Sequence, residues 1–432
     1  MEFLVKNTLV KRLNSCKKPS EVLKIKVIDL ACGSGTFLVK AFEEFKRWFD
    51  NYERKNKDNP RLKEENRSDQ SRLNLTSDSA TYDFLDKVLE NCIYGIDLDP
   101  RAARLARLNL FIRAVNTPKT LPSLNIIEKN SLIFDKNDPN AFILENEFPL
   151  ISEEGGFDII IGNPPWEKWK PNSQEFFEPF YPGFKSLDKQ DAIKVMDELL
   201  KNSKIKRLWE EKLNLYKTYS KFFRENYKYQ VEETGAKKTS GDLDLYKLFV
   251  ERAYSLLKDG GLLGYVVPSG IYTDLGAKGL RKLMFEKCEI DSLFSFENRK
   301  AIFKDIHRSY KFVLLTFIKK RGKKSFPCAF FLYSHEDLIK AIKNPTILDI
   351  DFIKKSSPTS WSVLEIKTQK DYEIVKKLLR FPRIGKELKN SWNIKISSGF
   401  HMTNDSNLFR KDRDGIPLLE GKNIEQFRSK GR

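Results

Sequence analysis

The apolar positions of this chain switch repeatedly between two spacings. Residues 24 to 30, KIKVIDL, form a short β-branched run closed by a glycine-containing turn. From Thr36 onward apolar side chains recur at Phe37, Leu38, Ala41, Phe42 and Phe45, the spacing of one helix face. A second unit repeats the alternation: a helix over 81–91, the strand CIYGIDL, and a helix opening near Pro100, a common first-turn residue. Strands follow at Leu124–Glu128 and at FDIIIG, residues 157–162. A helix over 243–258 ends at Asp259-Gly260-Gly261, and LLGYVVPS reads as the next strand. Strands alternating with helices predict an α/β fold built on a doubly wound, mostly parallel sheet.

Beyond about residue 290 the predicted strands are 291–296, 311–319 and 328–333, with helices between them, and the Ser/Pro/Thr-rich piece Lys354–Ser362 reads as a linker. Two stretches interrupt the core. Residues 50–80 hold too few apolar side chains to pack and read as an exposed polar insertion, and 167–240 reads as a basic, aromatic-rich helical insertion. The organisation expected is a main domain over 1–335, a linker or helical connection over 336–385, and the start of a further domain over 386–432.

Composition narrows the class. With 432 residues and 40% apolar content the chain can bury the cores of two or three domains. Its 78 Lys and Arg against 60 Asp and Glu leave a net charge of +18, which favours a polyanionic partner through counterion release and equally describes a solvated basic surface. Five scattered cysteines without CxxC or Cys/His clusters point to a reducing, cytoplasmic compartment and to no metal site. No stretch approaches the roughly 18 apolar residues of a membrane span, and the start MEFLVKNTLVKRL lacks a signal peptide's apolar run.

Three motifs carry chemistry. In VIDLACGSGTFLVKAF, residues 27–42, a strand ends in Asp29, a loop holds Gly33 and Gly35, and a helix opens near Thr36. A carboxylate and bare backbone thus meet a helix N-terminus, the layout of a cofactor turn at a sheet's C-terminal edge. The turn is neither a dinucleotide GxGxxG, since Leu38 takes the third glycine's place, nor a P-loop, since GK[ST] is missing. Asp29 suits a ligand bearing an amino group; a plain strand-to-helix turn has the same residues. In GIDLDP, residues 95–100, Asp97 stands where an acidic residue accepts from a ribose, or else caps the next helix with Asp99, the better-placed cap.

The third motif lies in GGFDIIIGNPPWEKWK, residues 155–170, where two prolines stop a strand and stiffen the turn. An exocyclic amine of a base is a poor nucleophile because its lone pair is delocalised into the ring. The side-chain oxygen of Asn163 and the carbonyl of Pro164 supply two acceptors for its N–H bonds, which frees that lone pair by preorganised polarity. Trp166 offers a flat face for a base flipped out of its helix.

In this order, DLACGSGTFL, IDLDP and NPPW resemble the cofactor, ribose and catalytic (D/N/S)PP(Y/F/W) motifs of the adenine-N6 DNA methyltransferases of restriction-modification systems. DLDLYKLFVERAYSLLKDGGLLGYVVPSGI, residues 242–271, is similar to that family as well, and the likeness runs from about residue 5 to 425, nearest to single-chain, type IIG-like members with their own target-recognition domain. The resemblance implies a Rossmann-like fold and S-adenosyl-L-methionine as cofactor, held by Asp29, Ala31, Gly33, Gly35, Thr36, Asp97, Leu98, Asn130 and Ser131. It implies a catalytic set of Asn163, Pro164, Pro165 and Trp166, double-stranded DNA as partner, a nuclease domain or subunit outside this chain, and a recognition domain beginning in 386–432. The expected reaction is methylation of the adenine N6 amine in DNA; the alternatives are a methyltransferase for an RNA base amine or a protein glutamine amide, or an inactive DNA-binding remnant.

Two departures stand against the family pattern. KNSL places Asn130 where an acidic residue is usual, and no Tyr-Thr-Pro element precedes MEFLVKNTL, which with the partial recognition domain suggests truncation at both ends. Other signals are weaker. Pro327-Cys328 lacks the context of a cytosine-C5 nucleophile, Asp351 with Glu365 and Lys367 mimics a nuclease spacing, and His307, His335 and His401 have no metal-ligand spacing. The basic, aromatic stretch 200–230 reads either as a DNA groove or as a solvated helical face. Ser269 reads as a base-pocket border or as part of a turn.

Overall fold

Val27–Asp29 (β1), Ile93–Asp97 (β2), Asn125–Glu128 (β3) and Phe157–Gly162 (β4) are the strands that the first apolar runs predict, and all four lie parallel. β1, most of β2 and β4 are buried along their length, the reason that they read as continuous apolar runs instead of alternating ones. The computed structural model describes residues 1–56, 77–114, 124–230 and 243–383, with parts of the stretch beyond. Most of the polar insertion expected at 50–80, and most of 386–432, lies outside the described residues. The chain divides into a unit Met1–Lys376 and a unit Lys377–Arg432.

Lys168–Trp169 (β5) and Leu243–Asp244 (β6) pair with each other as a two-residue antiparallel ribbon. Leu257–Pro268 (β7), Glu289–Glu297 (β8), Lys311–Ile318 (β9), Ser325–Leu332 (β10) and Thr346–Asp349 (β11) complete the main sheet. Among the described residues that sheet has nine strands in the order β11-β10-β8-β9-β7-β4-β1-β2-β3. β9 runs antiparallel to both β7 and β8, because β8 crosses over one strand position and its return hairpin fills the gap reversed. β7 begins at Leu257, five residues before the strand predicted from LLGYVVPS. Gly260, at φ +78°, and a register shift against β4 make the glycine pair an irregularity inside the strand rather than its boundary.

The N-terminal helix α1 joins Glu2–Val5, a π-turn Lys6–Val10 and Lys11–Leu13. It shares one core with Thr36–Asn56 (α2), Ser77–Asn91 (α3) and Pro100–Ala114 (α4), through Val5, Leu9, Phe42, Phe45, Leu89 and Ala106 against Val27, Ile159 and Ile161. The described part of the second insertion contains Lys189–Leu199 (α5) and Ser203–Asn226 (α6). Many of its aromatics pack on one another, with Phe180 and Tyr181 left exposed: Trp169 packs on Tyr216 at 4.3 Å between ring centroids, and Phe176 and Phe177 pack on Trp209 at 4.8 and 5.1 Å. These rings make the insertion's own core, while Arg207 and Lys221 pair with Glu211 and Glu225 on an exposed face.

Leu245–Leu256 (α7) is buried through most of its length, and Lys278–Lys287 (α8) carries Arg281, which is fully buried. The Arg281 guanidinium donates to the carbonyls of Ile271, Asp274 and Ser360, so the Lys354–Ser362 piece, expected as a linker, is tied into the first unit. Each carbonyl left unpaired in a buried place costs about 1–3 kcal/mol. Arg281→Ala is therefore expected to lower unfolding stability by roughly 3 kcal/mol or more, read as a fall in the urea midpoint at unchanged slope.

Candidate functional site

The order β3-β2-β1-β4-β7 reverses direction between β1 and β4, and ligands of open α/β sheets bind beyond the carboxyl ends of strands at such a switch point. Asp29 ends β1, and Gly162 ends β4 with Asn163 next to it. After Asp29 the chain enters the glycine turn, with Gly33 at φ +54° and Gly35 at φ +79°, conformations that glycine adopts without strain. A Cβ on Gly35 would also stand 3.0 Å from that of Ala106, so this glycine lets α4 close on the turn.

Asp97, at the end of β2, accepts the Gly33 N–H at 2.8 Å through one oxygen and the Asp99 N–H at 2.9 Å through the other. It holds the turn, and Asp99 takes the capping role by accepting the Arg101 N–H at the start of α4. Ser131 donates to the Leu30 carbonyl at 2.8 Å, and its own carbonyl accepts from the buried Arg252 of α7. The Asn130 side chain accepts the Leu132 N–H at 3.1 Å, a bond within its own turn. Thr36 opens α2 on the exposed surface, with its hydroxyl 3.2 Å from that of Ser34.

Two equally buried aspartates show what is unusual here. Asp29 and Asp158 are each 3% exposed. Asp158 lies toward the other end of the sheet and is neutralised by Lys258 and Arg12. Asp29 accepts the Ala31 N–H at 3.0 Å but forms no ion pair among the described residues. Burial pushes its pKa up to about 7, against the lowering effect of that hydrogen bond and with a further rise from the Asp97 charge. A buried carboxylate without a cation is a receptor for one. Room for the carboxylate depends on Gly162, since a Cβ there would stand 2.5 Å from the Asp29 Oδ1. Gly162→Ala is expected to weaken cofactor binding at least tenfold by calorimetry and to cost about 1–3 kcal/mol of stability through overpacking.

A cleft of about 1040 Å³ opens over these strand ends. Its sheet wall is made by Leu30, Ala31, Asp97, Leu98, Asn130 and Ser131, with Asn163 and Pro165 at the end of β4. Its far wall comes from the insertion, including Phe184, Met196 and Tyr216, and from Leu245 and Phe249 of α7. The structure thus brings seven of the thirteen sequence-predicted site residues to the lining of one cleft, while Asp29, Gly33, Gly35, Thr36, Pro164 and Trp166 are not among its lining residues. Phe249 escaped the sequence reading because LYKLFVERA looks like any apolar helix face; Leu98, also on the lining, is 62% exposed.

Pro164 is buried, and Trp166 does not line the large cleft. Its indole N–H donates to the Val266 carbonyl at 3.2 Å, and its ring lies parallel to Tyr310 at 5.7 Å and edge-on to Phe303 at 5.2 Å. With Tyr310, Ser269, Asp244 and Lys311 it borders a smaller cleft of about 450 Å³. Cys328 is buried in β10, and Glu365 is engaged by Lys311 and Tyr272, which leaves neither free for the chemistry their spacing suggested. Among the described residues no helix is long and apolar enough to cross a membrane.

The switch point and the glycine turn, in a sheet whose strands run parallel except for β9 and the edge strand β11, give the Rossmann-like fold of S-adenosylmethionine-dependent methyltransferases. Within that class the chain resembles the methylases of restriction-modification systems: residues 91–303 match the family described as Eco57I restriction-modification methylase. The chain is 26% identical over 339 residues to the type II restriction enzyme and methyltransferase RM.Eco57I of Escherichia coli, a match covering 75% of this chain and 27% of that protein. It therefore spans about a quarter of that relative's length. Among solved structures it is similar to a nuclease-deletion mutant of the type ISP restriction-modification enzyme LlaGI with a DNA substrate mimic, at 15% identity and TM-score 0.47, over 79% of this chain and 24% of that one. A modification subunit of a putative type I restriction enzyme from Vibrio vulnificus is similar at 16% identity and TM-score 0.41, over 80% and 55% of the two chains.

Proposed function

We propose that this chain transfers a methyl group from S-adenosylmethionine to the N6 amine of adenine in double-stranded DNA, as the modification component of a restriction-modification system. The observation that carries this reading is the Asp29 carboxylate, without an ion pair among the described residues, beside a glycine turn and one strand away from Asn163-Pro164. The residues present fit the cofactor: Asp29 is an acceptor for its amino group, Asp97 for its ribose hydroxyls, and Leu98 with Phe249 are apolar surface for its adenine. When bound there, the cofactor supplies an electrophilic methyl group.

The protein's own part is positioning. Asn163 Oδ1 and the Pro164 carbonyl accept the two N–H bonds of the target amine, so its lone pair is turned toward the methyl group for in-line displacement without a covalent enzyme intermediate. Stiff prolines hold both acceptors before substrate arrives, which removes their reorganisation from the barrier. Trp166 and its neighbour Tyr310 offer ring surface to the extruded base from the smaller cleft. The net charge of +18 supports a nucleic-acid substrate. Within this reading residues 386–432 serve target recognition, and a nuclease is a further partner of the system.

The test is transfer of tritiated methyl from S-adenosylmethionine to unmethylated bacterial DNA, followed by digestion to nucleosides. Label in N6-methyladenine is expected. Label confined to RNA or protein overturns the DNA assignment.

A further inference from the structure

Tyr265, in β7, is 1% exposed, and among the described residues its hydroxyl has no hydrogen-bond partner. A buried tyrosine ordinarily finds one, and phenylalanine would fill the same space without the cost of an unpaired hydroxyl. Its place in the sheet suggests what the hydroxyl is for. Tyr265 stands directly beside Gly162 in the β4–β7 ladder, and paired residues of adjacent strands project to the same face. Gly162 is the residue whose missing Cβ makes room for the Asp29 carboxylate. The phenol therefore stands in the Asp29 neighbourhood; its pKa is raised by burial first and by the Asp29 charge second.

Two neighbouring buried oxygens thus need the same thing. Among the described residues the Asp29 carboxylate has no cation and the Tyr265 hydroxyl has no hydrogen-bond partner. A cation with several N–H donors satisfies both at once, since an ammonium carries three donors and a hydroxyl has two acceptor lone pairs. A sulfonium or a ribose hydroxyl would not, the first having no donor and the second no charge.

We propose that Tyr265 is a cofactor-binding residue, its hydroxyl accepting a hydrogen bond from the α-ammonium of S-adenosylmethionine beside the carboxylate of Asp29. This rests on the reading of Asp29 as the ammonium acceptor. It explains why a position that packs as phenylalanine carries a hydroxyl: the group is unsatisfied in the free protein and satisfied in the complex.

The experiment compares the unsubstituted chain with Tyr265→Phe by calorimetric titration of S-adenosylhomocysteine and of 5′-methylthioadenosine, which lacks the amino-acid end, together with thermal unfolding of the unliganded proteins. We expect S-adenosylhomocysteine affinity to fall about tenfold, the size of one hydrogen bond to a charged group. Affinity for 5′-methylthioadenosine should stay the same, and the unliganded Tm should be equal or higher. Unchanged S-adenosylhomocysteine binding in the variant, an equal loss for both ligands, or a variant that fails to fold each overturns the assignment. If the unsubstituted chain itself binds no S-adenosylhomocysteine, the cofactor reading falls and this assignment with it; binding that Tyr265→Phe leaves untouched removes the assignment alone.

Discussion

Asn163→Ala lowers the rate of methyl transfer by roughly 100- to 1,000-fold, the effect of deleting one preorganised polar group aimed at a developing charge. Asn163 is exposed at the end of β4 and borders the cleft, so its truncation leaves the core untouched and folding stability within about 0.5 kcal/mol. Cofactor affinity should also hold, because Asp29 and Asp97 sit on other strands. The expected signature is a loss in kcat with an unchanged dissociation constant for S-adenosylhomocysteine. Single-turnover transfer of tritiated methyl to DNA, set beside calorimetry, separates the two quantities. A variant that retains the full rate would show that the amine is activated by something other than Asn163.

Asp29→Asn has effects of opposite sign on stability and on binding. The folded pKa of Asp29 is raised to about 7 from an ordinary 3.8, so the native state binds a proton more tightly than the unfolded chain does. Stability therefore falls as pH rises from about 4 to about 7, and the penalty is fully present above that range. Asparagine cannot ionise. The variant should be more stable than the parent at pH 8 and gain nothing at pH 4, a difference that urea titrations at the two pH values measure.

Cofactor binding responds the other way. An ammonium needs the ionised carboxylate, so the parent's affinity should decline as pH drops below about 7, with proton release on binding. Asp29→Asn should bind S-adenosylhomocysteine roughly 10- to 100-fold more weakly at pH 8, as for loss of a hydrogen bond to a charge. Its affinity should also be flat across the same pH range. A parent profile without pH dependence would mean that Asp29 does not receive the amino group.

Asp29 and Tyr265 also show how far a sequence carries such a site. The motif residues were legible because a strand that stops at a carboxylate, a glycine turn or a proline pair announces itself locally. Asp29, Asp97 and Asn163 all stand at strand ends in KIKVIDL, CIYGIDL and FDIIIGNPPW, and the structure places them there. Asp158, in the strand that leads to Asn163, looks no different from Asp29 in the sequence. Lys258 and Arg12, 100 and 146 positions away, make one aspartate a satisfied structural charge and leave the other as a receptor.

By itself the sequence determined the alternation of strands and helices, the parallel centre of the sheet, and the three turns that bear its chemistry, since each rests on periodicity or turn residues within about ten positions. Only the tertiary structure decided the rest. It set β9 antiparallel between β7 and β8, packed Trp169 on Tyr216 and Trp209 on Phe177 within the insertion, brought Phe249 to the cleft, and stacked Trp166 on Tyr310 outside it. It also set an unpartnered Tyr265 beside Asp29 across the ladder through Gly162. Each of these depends on contacts between residues far apart in the chain, and local patterning holds no record of which distant groups burial will bring together.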